Sequence, residues 1–285
     1  MRSKLFVPAI RPDLFEKALQ YGSDAVCFDL EDAVPWDKKA EARTNLKAFL
    51  EYREADSPVL LVRTNAVGSD EFLLDLEAVV WPSVAAIALP KVEAADGLHA
   101  VEEALAGLEA KRGIPVRLGI LPTIESARGL RLAAEIAQAS PRIVGLQVGF
   151  ADLLEPLGIA ADNHNARNQI RLMLRLAAAE AGVDCYDSAF ADFRNPDALQ
   201  MHLDAGRGYG FAGASCIHPS QIAAVNRAYS PTEAEIAHAV RVVRAAEHAA
   251  GMGSAVTSVD GKMIDRPFVI AAERLLARVK ERSTE

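Results

Sequence analysis

The chain is poor in cysteine and aromatic residues, has no excess of positive charge, and holds no long apolar run. Its three cysteines, Cys27, Cys185 and Cys216, are far apart, odd in number and each set in an apolar stretch. That pattern argues against a disulfide frame or a zinc site and predicts reduced core residues. With 31 basic against 39 acidic residues the formal charge is −8. A general nucleic-acid binder needs a basic footprint, so no nucleic-acid partner is expected. A local basic mouth for an anionic substrate is still compatible with this balance. No apolar run is long enough to span a bilayer, and no membrane partner is expected. The opening MRSKLFVPAIRPDLF has an early proline and acid and lacks the apolar stretch of a signal peptide. The expected location is the cytoplasm. Trp36 and Trp81 flank helical patterns and read as packing residues rather than base-stacking platforms.

What is present is an alternation of short apolar runs and longer amphipathic ones. LFVPA (5–9), AVCFDLE (25–31), VLLVRT (59–64) and AAIALPK (85–91) read as the first four strands. VRLGILPTIE, ending at Glu125, is the fifth, followed by RIVGLQVGF (142–150), VDCYDSAF (183–190) and FAGASCIH (211–218). Helical patterns separate them, among them 12–21, 37–53, 126–139 and 168–182. The strands are apolar on both faces, as in a covered parallel sheet. Eight strand–helix repeats in 285 residues predict an α/β fold, a (β/α)8 barrel over residues 1–225. The rival is a doubly wound sheet, disfavoured by the strand count and by the lack of GxGxxG after the first strand. Residues 226–285 read as a C-terminal helical extension: a long helix opened near Pro231, a polar Gly-rich stretch SAVTSVDGKMIDRP, and a last helix from about Pro267. Barrel closure does not need this tail, which packs on its own barrel or at a subunit interface.

In barrel enzymes the chemistry sits where strands end. Here most strands end in polar residues: Asp29, Glu31 and Asp32; Arg63 and Asn65; Lys91; Glu125; Asp152; Asp187; His218. From Glu31 to His218 the spacing averages about 31 residues per strand, one βα unit. One shared site is expected. Glu125 and Asp152 have two readings. They are oxygen ligands for Mg²⁺, which usually takes one or two carboxylates plus water and substrate, or they cap the helices that follow. Arg63, after four apolar residues, pairs with the Asp29–Glu31–Asp32 group or binds a substrate anion. Lys91 reads as a strand-end charge or positioning group in preference to a Schiff-base lysine. His218, before a helix-opening proline, is a general acid or base or a hydrogen-bonded structural histidine. His99, His202, His238 and His248 lie in helical segments as surface or packing residues. GYGFAG (208–213) reads as tight turns rather than a phosphate loop.

RSKLFVPA, CFDLEDAVP, VRTN, LPKVE, the PTIES run, VGFADL, CIHPSQI and DGKMIDRP, in that order over nearly the whole chain, resemble the citrate lyase β-subunit-like enzymes of the HpcH/HpaI aldolase superfamily. The resemblance implies a Mg²⁺-dependent carbon–carbon lyase on a barrel. It would act on acyl-CoA thioesters and keto acids and assemble as a homotrimer or hexamer. It also implies roles: Glu125 and Asp152 as metal ligands, Arg63 as the contact to substrate or enolate oxygen, and Asp29, Glu31 and Asp32 as acids around the metal and its waters, with Glu31 and Arg63 in the catalytic set. Asp265 matches a catalytic acid brought from a neighbouring subunit. Arg2 and Lys4 are expected to add to a basic mouth. Ala9 departs from the glycine that relatives commonly carry.

Overall fold

The computed structural model describes residues 1–53, 58–160 and 162–283. Eight parallel strands close into a barrel in chain order: β1 (Ser3–Pro8), β2 (Ala25–Asp29), β3 (Val59–Arg63), β4 (Val84–Leu89), β5 (Gly119–Ile124), β6 (Gly145–Val148), β7 (Asp184–Asp187) and β8 (Gly213–Cys216). Closure is made by β1 on β8, with Lys4 beside Ser215. Every strand but the first is shorter than its apolar run. Asp29 and Arg63 are the last ladder residues of their strands, and Glu31, Lys91, Glu125 and Asp152 lie just beyond theirs.

Strand alternation sorts side chains into two cores. Outward residues such as Val26, Phe28, Val62 and Ile87 pack under the surrounding helices, where Phe15, Phe28 and Phe49 meet edge to face. Inward residues are mostly small: Ala25, Cys27, Ala86 and Ala88, with Leu61, Leu121 and Tyr186. Small inward residues leave room inside the barrel for longer polar side chains. All three cysteines are free and buried, as expected.

Two helical expectations change in detail. Residues 12–21 form a 3₁₀ turn, Pro12–Leu14, that runs into a short helix, Phe15–Leu19. The 126–139 segment breaks at Leu132 into helices Ala127–Arg131 and Ala133–Gln138.

The chain divides into two compact units, Met1–Tyr229 and Ser230–Glu285. Helix Ile222–Ala228 carries the barrel unit past residue 225. The second unit has helix Glu233–Gly251, opened by a Thr232–Glu235 capping box, and helix Arg266–Ser283. Between them lies a hairpin, β9 (Thr257–Val259) and β10 (Lys262–Ile264), within the polar Gly-rich stretch SAVTSVDGKMIDRP. Its turn is Asp260-Gly261, both at positive φ (51° and 76°), the dipeptide that a tight two-residue hairpin favours. Ala239, Val242, Val259, Ile264, Val269 and Ala272 form this unit's own core. Among the described residues no helix is long and apolar enough to cross a membrane.

Candidate active site at the barrel mouth

Asp29 and Arg63 end β2 and β3 as register neighbours, both on the inward parity. Their pairing is bidentate: Arg63 Nε and Nη2 donate to Asp29 Oδ1 and Oδ2 at 2.8 and 2.7 Å. Arg63 Nη1 also lies 3.0 Å from Glu31 Oε2 and 3.8 Å from Asp32. Burial alone would lower the Arg63 pKa, but the hydrogen bonds and charge of Asp29, with the charge of Glu31, push it upward. Sequence left two partners open for Arg63, and the structure realises the acidic one. Glu31 is buried and receives the Lys91 ammonium at 2.7 Å. Desolvation raises its pKa against the pull of Arg63 and Lys91. Lys39 holds the loop after β2 by donating to the carbonyls of Leu30 and Glu31 at 2.7 and 2.6 Å.

Glu125 follows β5 directly and is buried. The backbone N–H of Lys91, a residue held at φ 54°, donates to its Oε1 at 2.6 Å. Burial, with repulsion from Asp152 and Glu31, pushes the Glu125 carboxyl up to about 7. A Cβ on Gly149, at the end of β6, would collide with the Glu125 carboxylate, so only glycine leaves that space. The capping alternative loses its footing here. The helix after Glu125 is capped by Ser126, whose Oγ accepts from Gly129 N. The helix holding Asp152 in its first turn has Gly149 as N-cap and no side-chain cap bond. Asp29, Arg63, Glu125 and Asp152 all line one cavity of about 440 Å³.

A hard divalent cation fits this donor set. The two carboxylates repel each other, one is buried enough to hold a proton, and the open cavity beside them leaves room for water and substrate oxygens. Among the described residues no cluster of three or more His, Cys, Asp or Glu side chains is placed to hold a metal. An oxygen site completed by water and substrate therefore fits better than a closed protein cage.

Several strand-end residues do not join this group. Tyr186 points into the barrel, so its neighbour Asp187 points outward, against the expectation of a shared mouth. There it pairs with Arg171 Nε at 2.9 Å, and Arg171 in turn contacts His202 Nδ1 at 2.9 Å. Asn65 bonds the buried Asp75, with both its amides at 2.7 Å. His218 is the structural histidine of the two readings: it accepts from Ser220 N, shares a capping box with Gln221 and stacks on Phe193 at 4.6 Å. The Lys91 ammonium is tied to Glu31 and its pKa is raised by that partner despite burial, which disfavours the neutral amine a Schiff base needs. Arg2 is not at the mouth: it precedes β1 and pairs with Asp24, before β2, at 2.7 Å. Asp265 belongs to the second unit, between β10 and the last helix; its Oδ1 is buried with no hydrogen-bond partner among the described residues.

The floor of the cavity was not read from sequence. Lys4, 1% exposed, is inside the barrel rather than at its rim. Its Nζ donates to Gln147 Oε1, and Gln147 Nε2 donates to Ser215 Oγ at 3.1 Å. Phe6, Thr123, Gln147 and Ser215 line the cavity from below. The available signal was parity: Lys4, Thr123, Gln147 and Ser215 each interrupt an apolar strand on its inward side.

The barrel carries a recognisable family pattern. Residues 2–219 match the model of the HpcH/HpaI aldolase/citrate lyase family. The chain belongs to that family. It is with that family a carbon–carbon lyase by class. Relatives include the citrate lyase subunit beta of Escherichia coli K12, 34% identical over 284 residues and covering 98% of this chain and 93% of that protein. A (3S)-malyl-CoA thioesterase of Cereibacter sphaeroides is 36% identical over 280 residues, covering 98% and 94%. Among solved structures, the CitE protein of Mycobacterium tuberculosis in complex with magnesium, acetoacetate and coenzyme A aligns with a TM-score of 0.78. It has 32% identity and 97% coverage of both chains.

Proposed function

We propose that this protein is a Mg²⁺-dependent lyase that cleaves a 3-hydroxyacyl-CoA thioester of the citryl, malyl or citramalyl type to acetyl-CoA and a keto acid. One observation carries the reading: Glu125 and Asp152, neither of which caps a helix, share a cavity with a charged, acid-anchored Arg63. The magnesium-bearing CitE relative, with its coenzyme A, supports it.

Glu125 and Asp152 would hold the metal, which when bound would supply Lewis acidity to the substrate. Arg63 binds the thioester oxygen where enolate charge develops as the C–C bond breaks. Asp29, Glu31 and Asp32 act behind it, keeping the guanidinium in one plane, and would accept from water around a bound metal. Lys91 fixes Glu31 through its ammonium and Glu125 through its backbone. A base at the mouth takes the substrate's hydroxyl proton as the C–C bond breaks, and Asp265 returns a proton to the thioester carbon, so the proton count is unchanged. Asp265 is delivered by the tail of a neighbouring copy, which makes the working form a homotrimer or hexamer.

The test is incubation with malyl-CoA or citramalyl-CoA and Mg²⁺, assaying keto acid and acetyl-CoA. Turnover that survives both EDTA and Glu125→Ala removes the metal role. The thioesterase relative favours a second outcome at the same site, hydrolysis of the thioester. Release of free coenzyme A with the acid intact identifies it. The β-subunit relatives support a third reading, a subunit that works on an acyl-carrier partner; failure to turn over free CoA thioesters identifies that one.

A further inference from the structure

The mouth is acidic, yet the barrel interior below it holds a cation. Lys4 is fully enclosed on β1, and among the described residues no carboxylate lies within ion-pair distance of it. Its electrostatic neighbours are the thiols of Cys27 and Cys216, which favour the ammonium weakly, and Arg63, which opposes it. Phe6 stands between the two cations, its ring centroid 5.3 Å from Lys4 Nζ and 5.2 Å from the Arg63 guanidinium carbon. A buried cation without a counter-charge is costly, and among the described residues its relief is the Phe6 ring and one directional hydrogen bond.

That relief runs upward. The ammonium has only donors, so Gln147 must turn its carbonyl oxygen to Lys4. Its amide nitrogen then faces Ser215 and donates to Ser215 Oγ at 3.1 Å. The serine oxygen is thereby an acceptor, and among the described residues nothing accepts its own hydroxyl proton. Ser215 and Gln147 line the cavity. Each hydrogen bond polarises the next, so the charge of Lys4 is presented to the cavity as a donating hydroxyl.

We infer that Lys4, Gln147 and Ser215 form a carboxylate subsite at the cavity floor, which selects a keto acid with a second carboxylate over a keto monoacid. The inference rests on the proposed lyase reading. The cation that Glu125 and Asp152 would hold would take one end of the keto acid. Arg63 is already engaged by Asp29 and Glu31. A second carboxylate therefore finds its donor at the floor. Lys4 touches no substrate and is a positioning residue, acting through Gln147 and Ser215.

The experiment is titration calorimetry of the Mg²⁺-loaded full-length protein with oxaloacetate and with pyruvate. Wild type, Lys4→Met and Ser215→Ala are compared. Wild type should prefer oxaloacetate. Lys4→Met should lose roughly ten- to hundredfold of oxaloacetate affinity, the scale of one hydrogen bond to a charged group, with pyruvate changed less than about twofold. Ser215→Ala, a small change at the lining, should show the same selective loss and decides the matter if Lys4→Met does not fold. Equal loss of both ligands, no loss of either, or a wild type that binds both alike would overturn the subsite while leaving the lyase reading in place. A wild type that binds neither keto acid with Mg²⁺ overturns both.

Discussion

Replacing Arg63 with methionine should unfold the protein more easily and silence it, and the two effects should be separable. The Asp29 side chain is 4% exposed and receives two guanidinium bonds at 2.8 and 2.7 Å. Removing one partner of such a pair strands the other, at about 3–5 kcal/mol. The lower end applies here. Asp29 still accepts from the N–H groups of Glu31 and Ala33 at 2.9 and 3.3 Å, and Glu31 keeps Lys91 at 2.7 Å. About 3 kcal/mol in a domain of this size is a fall of roughly 6–12 °C in Tm. Adding Asp29→Asn to Arg63→Met removes the stranded charge and should recover most of that loss. Activity should stay low in both variants, by about 10²–10³ in kcat, the scale of one lost oxyanion donor. Thermal melts and the keto-acid assay read the two effects. The reasoning is refuted if Arg63→Met melts like wild type, or if the double variant melts no higher than the single one.

Gly149→Ala should depress Mg²⁺ affinity while leaving the helical circular dichroism intact, because its Cβ would displace the Glu125 carboxylate; unchanged affinity contradicts the close approach. Co-expressed Glu125→Ala and Asp265→Ala chains, each inactive alone, should recover about a quarter of the wild-type sites, as random mixing in a ring of heterologous contacts gives. No recovery places Asp265 outside the neighbour's reaction. The Lys4 pKa lies at about 8, lowered from 10.5 chiefly by burial. The unfolded chain therefore binds the extra proton between these values, and stability referred to Lys4→Met should rise with pH across that window. The gain is about 1 kcal/mol between pH 8 and 9, read by urea unfolding; a flat or falling difference contradicts the burial of a titrating Lys4.

The barrel was legible because its signals are local and repeated: apolar runs at a fixed interval, each closed by a polar residue. The pairing of Asp29 with Arg63 was half legible, since a buried arginine needs an acid but sequence does not say which. Asp187 was misplaced for want of parity. Strand ends recur with the βα interval, yet the inward or outward choice has a period of two, and one residue separates the mouth from the helix layer. Lys4 was misplaced for the converse reason. A lysine near the chain start reads as rim charge, and only the small inward residues Ala25, Ala86 and Ala88 reveal that the interior has room for it. The hairpin β9–β10 was not read: its Asp260-Gly261 turn sits between strands of three residues, too short to show alternation.

The charges at the mouth bear on how the site must fill. Asp29, Glu31, Asp32, Glu125 and Asp152 set five carboxylates against the two cations Arg63 and Lys91, and both cations are already engaged by these acids. The proposed substrate carries its own carboxylate and the phosphates of coenzyme A, so the metal-free mouth repels it. The protein's own response to the crowding is visible at Glu125, whose carboxyl is pushed toward proton uptake by burial and then by Asp152 and Glu31. A divalent cation would answer the same excess more fully than a proton, with the two repelling carboxylates as its proposed ligands. On the proposed reading the cation therefore enters before the anion. The proposed Lys4 chain would then work from below on a substrate already drawn in, where one donating hydroxyl can sort one carboxylate from two.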